Sequence, residues 1–403
     1  MESNISKDLV LYKNSDLLTI VVPTYNRPKM LANLIRYLHG EFSIAVLILD
    51  SSDDKNYEIN VKNINNAFEH VRYSKDIKFK EKLVDGLKRV HTRYCVFCAD
   101  DDIVVLDALL KCVNFLEVNP DYISAQGYYF GFDGGNGKYL VDDIIYNNKS
   151  IDELNLLLRL DTLFTEYQSN FYSVFRTDIQ IDALIEASKN ESPLFFELMQ
   201  SSYGVIKGKV KRLPIIYAGR CRTSSVDVPR QWHPVEWVSA DINDYFSAYI
   251  NYRNNLVSLI EESIETKYDL IKLKNIVDLI HAKYIFGSLG VGVLQTAINA
   301  QINLCDDKEI IGRAFSALNN EFDEKSYLFR VRARKLISLF GEKIEKIITN
   351  CMSQMPRATS KRFFINENIN VEFNNIVLEK IRKDNISVSV ATKTIYKIFE
   401  KYN

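Results

Sequence analysis

Tyr94-Cys95-Val96-Phe97-Cys98-Ala99-Asp100-Asp101-Asp102 joins a continuous apolar run to three carboxylates. A short apolar run with a polar stop reads as a strand covered on both faces. The same grammar appears twice upstream. Leu17–Val22 runs into Pro23, and Ala45–Leu49 is stopped by Asp50-Ser51-Ser52-Asp53. Val71-Arg72-Tyr73 forms a shorter strand between them and the acidic run. Helical patterns fill the gaps: Pro28 opens one through Leu31, Leu34, Ile35 and Leu38, and Phe79–Val90 carries Leu83, Leu87 and Val90 on one face. Leu106–Val118 follows with Leu109, Leu110, Val113 and Leu116 inward. This alternation predicts an α/β fold, an open and mostly parallel sheet with helices on both faces. Such sheets bind ligands beyond the carboxyl ends of their strands. Thr24–Arg27, Asp50–Asp53 and Asp100–Asp102 all fall there.

From Ile123 the pattern changes. Ile123–Phe132, the turn Asp133-Gly134-Gly135-Asn136-Gly137 and Lys138–Tyr146 predict a hairpin. Phe171–Phe175 reads as a strand, Asp178–Ser188 and Pro193–Val205 as helices, and Lys209–Leu213 with Ile215–Ala218 as a final strand pair. After about Trp237 helical patterns dominate, over 240–263, 270–287, 291–302, 309–319, 326–350 and 371–383. The expected organisation is a catalytic domain over 1–230 and an all-α C-terminal domain over 231–403.

The bulk composition is globular, with 47% hydrophobic and 26% charged residues over 403 positions. A net charge of −1 gives no global field for binding nucleic acid. Among six cysteines the close pair is Cys95 and Cys98, and strand geometry points them to opposite faces. Free thiols of this kind suit a reducing, cytoplasmic compartment. Met1–Asp8 lacks an apolar leader, and no uncharged run reaches the length of a membrane span.

Three adjacent carboxylates repel one another and call for a neutralising cation. Mg2+ and Mn2+ take such oxygens and bridge to phosphates. Thr24, Tyr25 and Arg27 offer a hydroxyl, an aromatic face and a guanidinium suited to phosphate. An acidic turn and a strand-to-helix turn, with Asn26 as N-cap, account for the same residues structurally.

Pro23-Thr24-Tyr25-Asn26-Arg27, Asp50-Ser51-Ser52-Asp53 and Ala99-Asp100-Asp101-Asp102, in this order, resemble glycosyltransferase family 2, of the GT-A fold, over residues 17–222. The resemblance implies a bacterial-type enzyme of polysaccharide biosynthesis. It would move a sugar from a nucleotide diphosphate, UDP foremost, to a hydroxyl of a glycan, glycolipid or protein, with inversion. It further implies that Pro23, Thr24 and Tyr25 line base and ribose, that Asp50 accepts from the base, and that Asp100, Asp101 and Asp102 hold a divalent metal and the diphosphate. Asp101 is the strongest of the three. The family places an Arg or Asn on the helix before the acidic motif; here Lys78, Lys80 and Lys82 stand there, and Lys82 is the candidate. Glu197, with Glu191 as rival, would be the general base, alongside Asp102. Arg220 or Arg222 would meet phosphate, Arg222 being the choice, and His233 would complete a metal shell.

A sugar nucleotidyltransferase would need a Gly-rich phosphate loop, which the first strand lacks, and no P-loop motif exists. A non-catalytic carbohydrate- or nucleotide-binding scaffold would leave the acidic cluster tolerant of change. The basic tinge at Lys343, Lys346, Lys361, Arg362, Lys380, Arg382 and Lys383 suits an oligomer interface or peripheral contact with an anionic membrane.

Overall fold

The computed structural model describes residues 17–39, 44–64, 68–135, 138–146, 148–165, 167–222, 234, 237–238, 241–264, 268–288, 360–366, 369–383 and 386–402. The first half follows the expected alternation: β1 (Leu18–Thr24), α1 (Pro28–Leu38), β2 (Ala45–Asp50), α2 (Asp54–Ile64), β3 (Glu69–Arg72), α3 (Phe79–Lys88), β4 (Tyr94–Phe97), β5 (Ile103–Val104) and α4 (Leu106–Val118). Next come β6 (Tyr122–Gly135), β7 (Lys138–Ile145), α5 (Leu156–Thr165), β8 (Val174–Arg176), α6 (Thr177–Ala187), α7 (Pro193–Lys207) and β9 (Lys209–Cys221). After the sheet the chain is helical, in α8 (Ile242–Ser263) and α9 (Leu270–Ser288). Its end contains β10 (Ser360–Asn366), β11 (Ile369–Asn374), α10 (Asn375–Lys383) and α11 (Val388–Tyr402).

The fold is mixed α/β around a central sheet ordered β10-β11-β7-β6-β8-β4-β1-β2-β3, with β9 beside β6 and β5. β1 pairs in parallel with β2 and β4, and β2 with β3. β8 pairs antiparallel to both β4 and β6, as β6 does to β7. Strand alternation sends Leu18, Ile20 and Val22 into a core with α1 and α4. Val21, Leu47 and Leu49 enter the opposite core with Leu83 and Leu87 of α3. Cys95 and Cys98 fall in opposite cores as free thiols.

Several expectations change. The anticipated strand pair at 209–218 is one continuous strand, β9, because its Pro214 is exposed and the pairing with β6 shifts register between Gln126 and Tyr128. The helix expected over 371–383 begins only at Asn375. Residues 369–374 form β11, parallel to β7, with Val371 and Phe373 buried. Alternating burial at Val371 and Phe373 is the period-two signal of a strand. The patterns at 291–302, 309–319 and 326–350, His233, and Lys343 and Lys346 lie outside the described residues. The described residues up to Ser288 and from Lys361 onward belong to one compact unit. Among the described residues no helix is long and apolar enough to cross a membrane.

The chain end is fastened by aromatic packing. Phe399 of α11 is fully buried, stacks on Tyr139 at 4.0 Å and meets Phe132 edge-on at 5.2 Å. Tyr402 meets Tyr37 of α1. Lys380 of α10 pairs with Asp143 of β7 at 2.5 Å. Phe399→Ala is expected to cost about 3–5 kcal/mol, comparable to the ~2–5 kcal/mol of Ile48→Ala in β2. Denaturant unfolding should show one transition for both variants; a separate early transition in Phe399→Ala would mean that the chain end folds apart from the sheet.

Candidate active site

Thr24 ends β1, Asp50 ends β2, and Asp100–Asp102 follow β4, so three neighbouring parallel strands deliver them to one edge. Between β1 and α1 the chain turns sharply. Asn26 takes a left-handed conformation, φ 53°, which asparagine tolerates. Its N–H donates to Ser52 Oγ at 2.9 Å, and its side-chain oxygen accepts from Asp53 N–H. The N-cap is therefore Arg27, with Pro28 at the first helical position. This turn aims the Arg27 guanidinium at the acidic cluster.

Thr24 Oγ1 donates to Asp100 at 2.7 Å, and Arg27 donates to Asp100 at 3.0 Å and Asp101 at 2.8 Å. Asp102 points elsewhere and accepts from the Cys221 N–H of β9 at 3.1 Å. All three carboxylates are buried. Burial pushes Asp100 up to about 6, against the Thr24 hydrogen bond and Arg27. Burial and then Asp101 push Asp102 up to about 7, against Arg220. The Arg27 guanidinium is raised, burial being outweighed by Asp100 and Asp101.

Lys82 is not on a solvated face. It is 3% exposed, and its Nζ donates to the Thr24 carbonyl at 3.0 Å and Ser51 Oγ at 2.8 Å. Gly86, one turn along α3, permits this, since a Cβ there would collide with Leu49 of β2. Lys78 and Lys80 turn away to the exposed Glu191, with which both form ion pairs.

Asp50, expected to accept from a base, is engaged within the protein. It is fully buried, with Ser52 N–H on one oxygen and Asn60 and His70 on the other. Burial raises its pKa, but hydrogen bonds from His70, Ser52 and Asn60 win and hold it low. Asp50 thus shapes the Ser51–Asp53 turn. Beyond it a cleft of about 520 Å3 opens, lined by Ser52, Asp53, Arg72, Tyr73, Ser74 and Asp76 among others. Tyr25 stands 53% exposed on the neighbouring loop, while Pro23 is half-buried.

Glu197 lies on α7, half-buried, and its carboxylate accepts from the Tyr167 hydroxyl at 2.9 Å. Burial raises its pKa, with Tyr167, Arg220 and Ser169 opposing. Of the two arginines at the end of β9, Arg220 is the one directed toward the acidic groups. Its charge interacts with Asp102 and Glu197 together, and it donates to the Tyr146 hydroxyl. Arg222 instead pairs with Asp142 and Asp143 of β7. The signal that could have separated them is the acidic pair at 142–143, a ready partner for one of the two.

Among the described residues no three His, Cys, Asp or Glu side chains form a metal cage. Asp100 accepts from Thr24 and Arg27, Asp101 from Arg27, and one oxygen of Asp102 from the Cys221 N–H. Mg2+ and Mn2+, however, bind through one or two carboxylates plus substrate phosphates. Three adjacent buried carboxyl groups are a hard-oxygen donor set that fits such a cation.

Residues 19–179 match the family model of glycosyl transferase family 2. This segment is a glycosyl transferase family 2 domain. It contains Thr24, Arg27, Lys82 and Asp100–Asp102, while Glu197 and Arg220 lie beyond the matched stretch. No curated protein matches the chain. Among solved structures the chain is similar to S. aureus TarS 1–349 in complex with UDP-GlcNAc, at 15% identity and a TM-score of 0.41, covering 68% of this chain and 89% of that one. It is also similar to the mannosyltransferase PcManGT from Pyrobaculum calidifontis in complex with GDP-Man and Mn2+, at 10% identity and a TM-score of 0.39, covering 78% and 84%.

Lys82 supplies a test of the site's electrostatics. Burial lowers its pKa to about 8, against Asp50 and Asp100, from 10.5. Between these values the unfolded chain binds the proton and the folded chain does not, so stability rises with pH across about 8 to 10.5, by up to ~1.4 kcal/mol per pH unit. Lys82→Met should remove this rise. Parallel stability curves for wild type and Lys82→Met in that window would contradict the burial.

Proposed function

We propose that the protein transfers a sugar from a nucleotide-diphosphate donor, UDP foremost, to a hydroxyl of a glycan, glycolipid or protein, with inversion. The carrying observation is the convergence, within the segment that matches glycosyl transferase family 2, of Arg27 and Lys82 on Thr24 and Asp100–Asp102 at adjacent strand ends. The nucleobase rests in the cleft lined by Ser52, Asp53, Arg72 and Asp76, beside the turn that Asp50 shapes, with Tyr25 as a stacking face. Asp101 and Asp102 would hold Mn2+ or Mg2+, which when bound supplies positive charge to the diphosphate as it leaves.

Arg220, between Asp102 and Glu197, meets the diphosphate from the other side. Glu197 takes the proton of the acceptor hydroxyl as that oxygen bonds the anomeric carbon. The bond from that carbon to the phosphate oxygen breaks, and its electron pair departs with the nucleoside diphosphate. A carboxyl raised by burial suits this duty, since a base works best with a pKa near the working pH.

Release of nucleoside diphosphate from UDP-glucose, UDP-N-acetylglucosamine and GDP-mannose, with Mn2+ and without, tests the reading. Asp101→Ala should abolish turnover, and Glu197→Gln should lower kcat by about 10²–10⁴-fold with KM little changed. Undiminished turnover by Asp101→Ala, or no release from any donor by the wild type, defeats the proposal.

A further inference from the structure

The Glu197 carboxylate is held from behind by a locked hydroxyl. Tyr167 follows α5 and donates to Glu197 Oε1 at 2.9 Å, while lying 3.2 Å from Ser201 Oγ. Glu197 and Ser201 are four apart on α7 and share a face, so one phenol spans both. The Tyr167 ring has little freedom. It stacks on Phe164 with centroids 5.8 Å apart, and Tyr284 of α9 meets it edge-on at 5.4 Å. Tyr284 also meets Phe164 at 5.5 Å and is buried. Three rings from α5, the loop after it and α9 therefore fix the direction in which one oxygen of Glu197 is bound.

We propose that Tyr167 is the positioning residue for Glu197, and that α9 serves the reaction by clamping Tyr167 through Tyr284. The inference rests on Glu197 being the base. A base must be held near its reacting geometry, and a small misplacement costs a large factor in rate. A free carboxylate on a helix surface rotates among rotamers; one bonded to a wedged phenol does not. The hydroxyl also favours the ionised form to which it donates. The other groups facing Glu197 are Ser169, Arg220 of β9, Tyr146 at the end of β7, and Tyr172, with Tyr284 behind. Among the described residues facing Glu197, Arg220 is the cation and Tyr167 the phenol that donates to the carboxylate, so loss of the Tyr167 hydroxyl leaves a distinct signature.

The experiment compares wild type, Tyr167→Phe, Tyr284→Ala and Glu197→Gln in the full chain. The readout is nucleoside diphosphate released from UDP-glucose, UDP-N-acetylglucosamine or GDP-mannose with water as acceptor. Tyr167→Phe should lower kcat about 10–100-fold at nearly unchanged donor KM. It should also move the acidic limb of the kcat/KM profile to higher pH, because the ionised carboxylate loses a donor. Tyr284→Ala, which frees the ring but keeps its hydroxyl, should lower kcat with donor KM retained. It carries the test alone if Tyr167→Phe fails to fold. Inactive Glu197→Gln beside a Tyr167→Phe variant with wild-type kcat and pH limb overturns the positioning role and leaves the base assignment standing, as does wild-type kcat in Tyr284→Ala. Full activity in Glu197→Gln overturns the base assignment and this inference with it.

Discussion

Burying Asp100, Asp101 and Asp102 at the end of β4 is the constraint around which the rest is arranged. Desolvated carboxylates must be neutralised or hydrogen-bonded. The chain does this with groups drawn from far apart: Thr24 and Arg27 from the turn after β1, and the Cys221 N–H and Arg220 from β9. Lys82 adds a third cation through the Thr24 carbonyl and Ser51. Each is oriented by its own scaffold: the left-handed Asn26, the close approach of Gly86 to Leu49, and the hairpin acids that draw Arg222 aside. The compensation is incomplete, since Asp100 and Asp102 remain raised.

The sheet edge was legible because β1, β2 and β4 are buried on both faces and their sequences are unbroken apolar runs closed by polar stops. α2 escaped the same reading. It buries only Asn60 and Ile64 and leaves Ile59 and Val61 exposed, so it carries no helical stripe. Yet Asn60, with His70 of β3, is what holds the buried Asp50 carboxylate in place. Contacts of that kind depend on tertiary placement that no local pattern encodes. For the same reason periodicity could not say which of Arg220 and Arg222 faces Glu197, nor that Lys82 alone among three lysines turns inward.

The C-terminal stretch shows a different limit. Val371 and Phe373 fit a strand and a helix start about equally over so few residues. What decides the matter is the open edge of β7, which offers unpaired backbone groups that β11 satisfies. Aromatic packing by Phe399 and Tyr402, with Lys380 on Asp143, then fastens the end of the chain to the sheet and to α1.

That fastening has a bearing on how the molecule is made. Lys380 and Asp143 stand 237 residues apart in sequence, so during synthesis the β7 edge waits, unpaired, while most of the chain is still to emerge. An exposed edge is a template for the wrong neighbour, and distant pairings form late. The strands that carry the acidic cluster are complete long before β11 can close the sheet at β7.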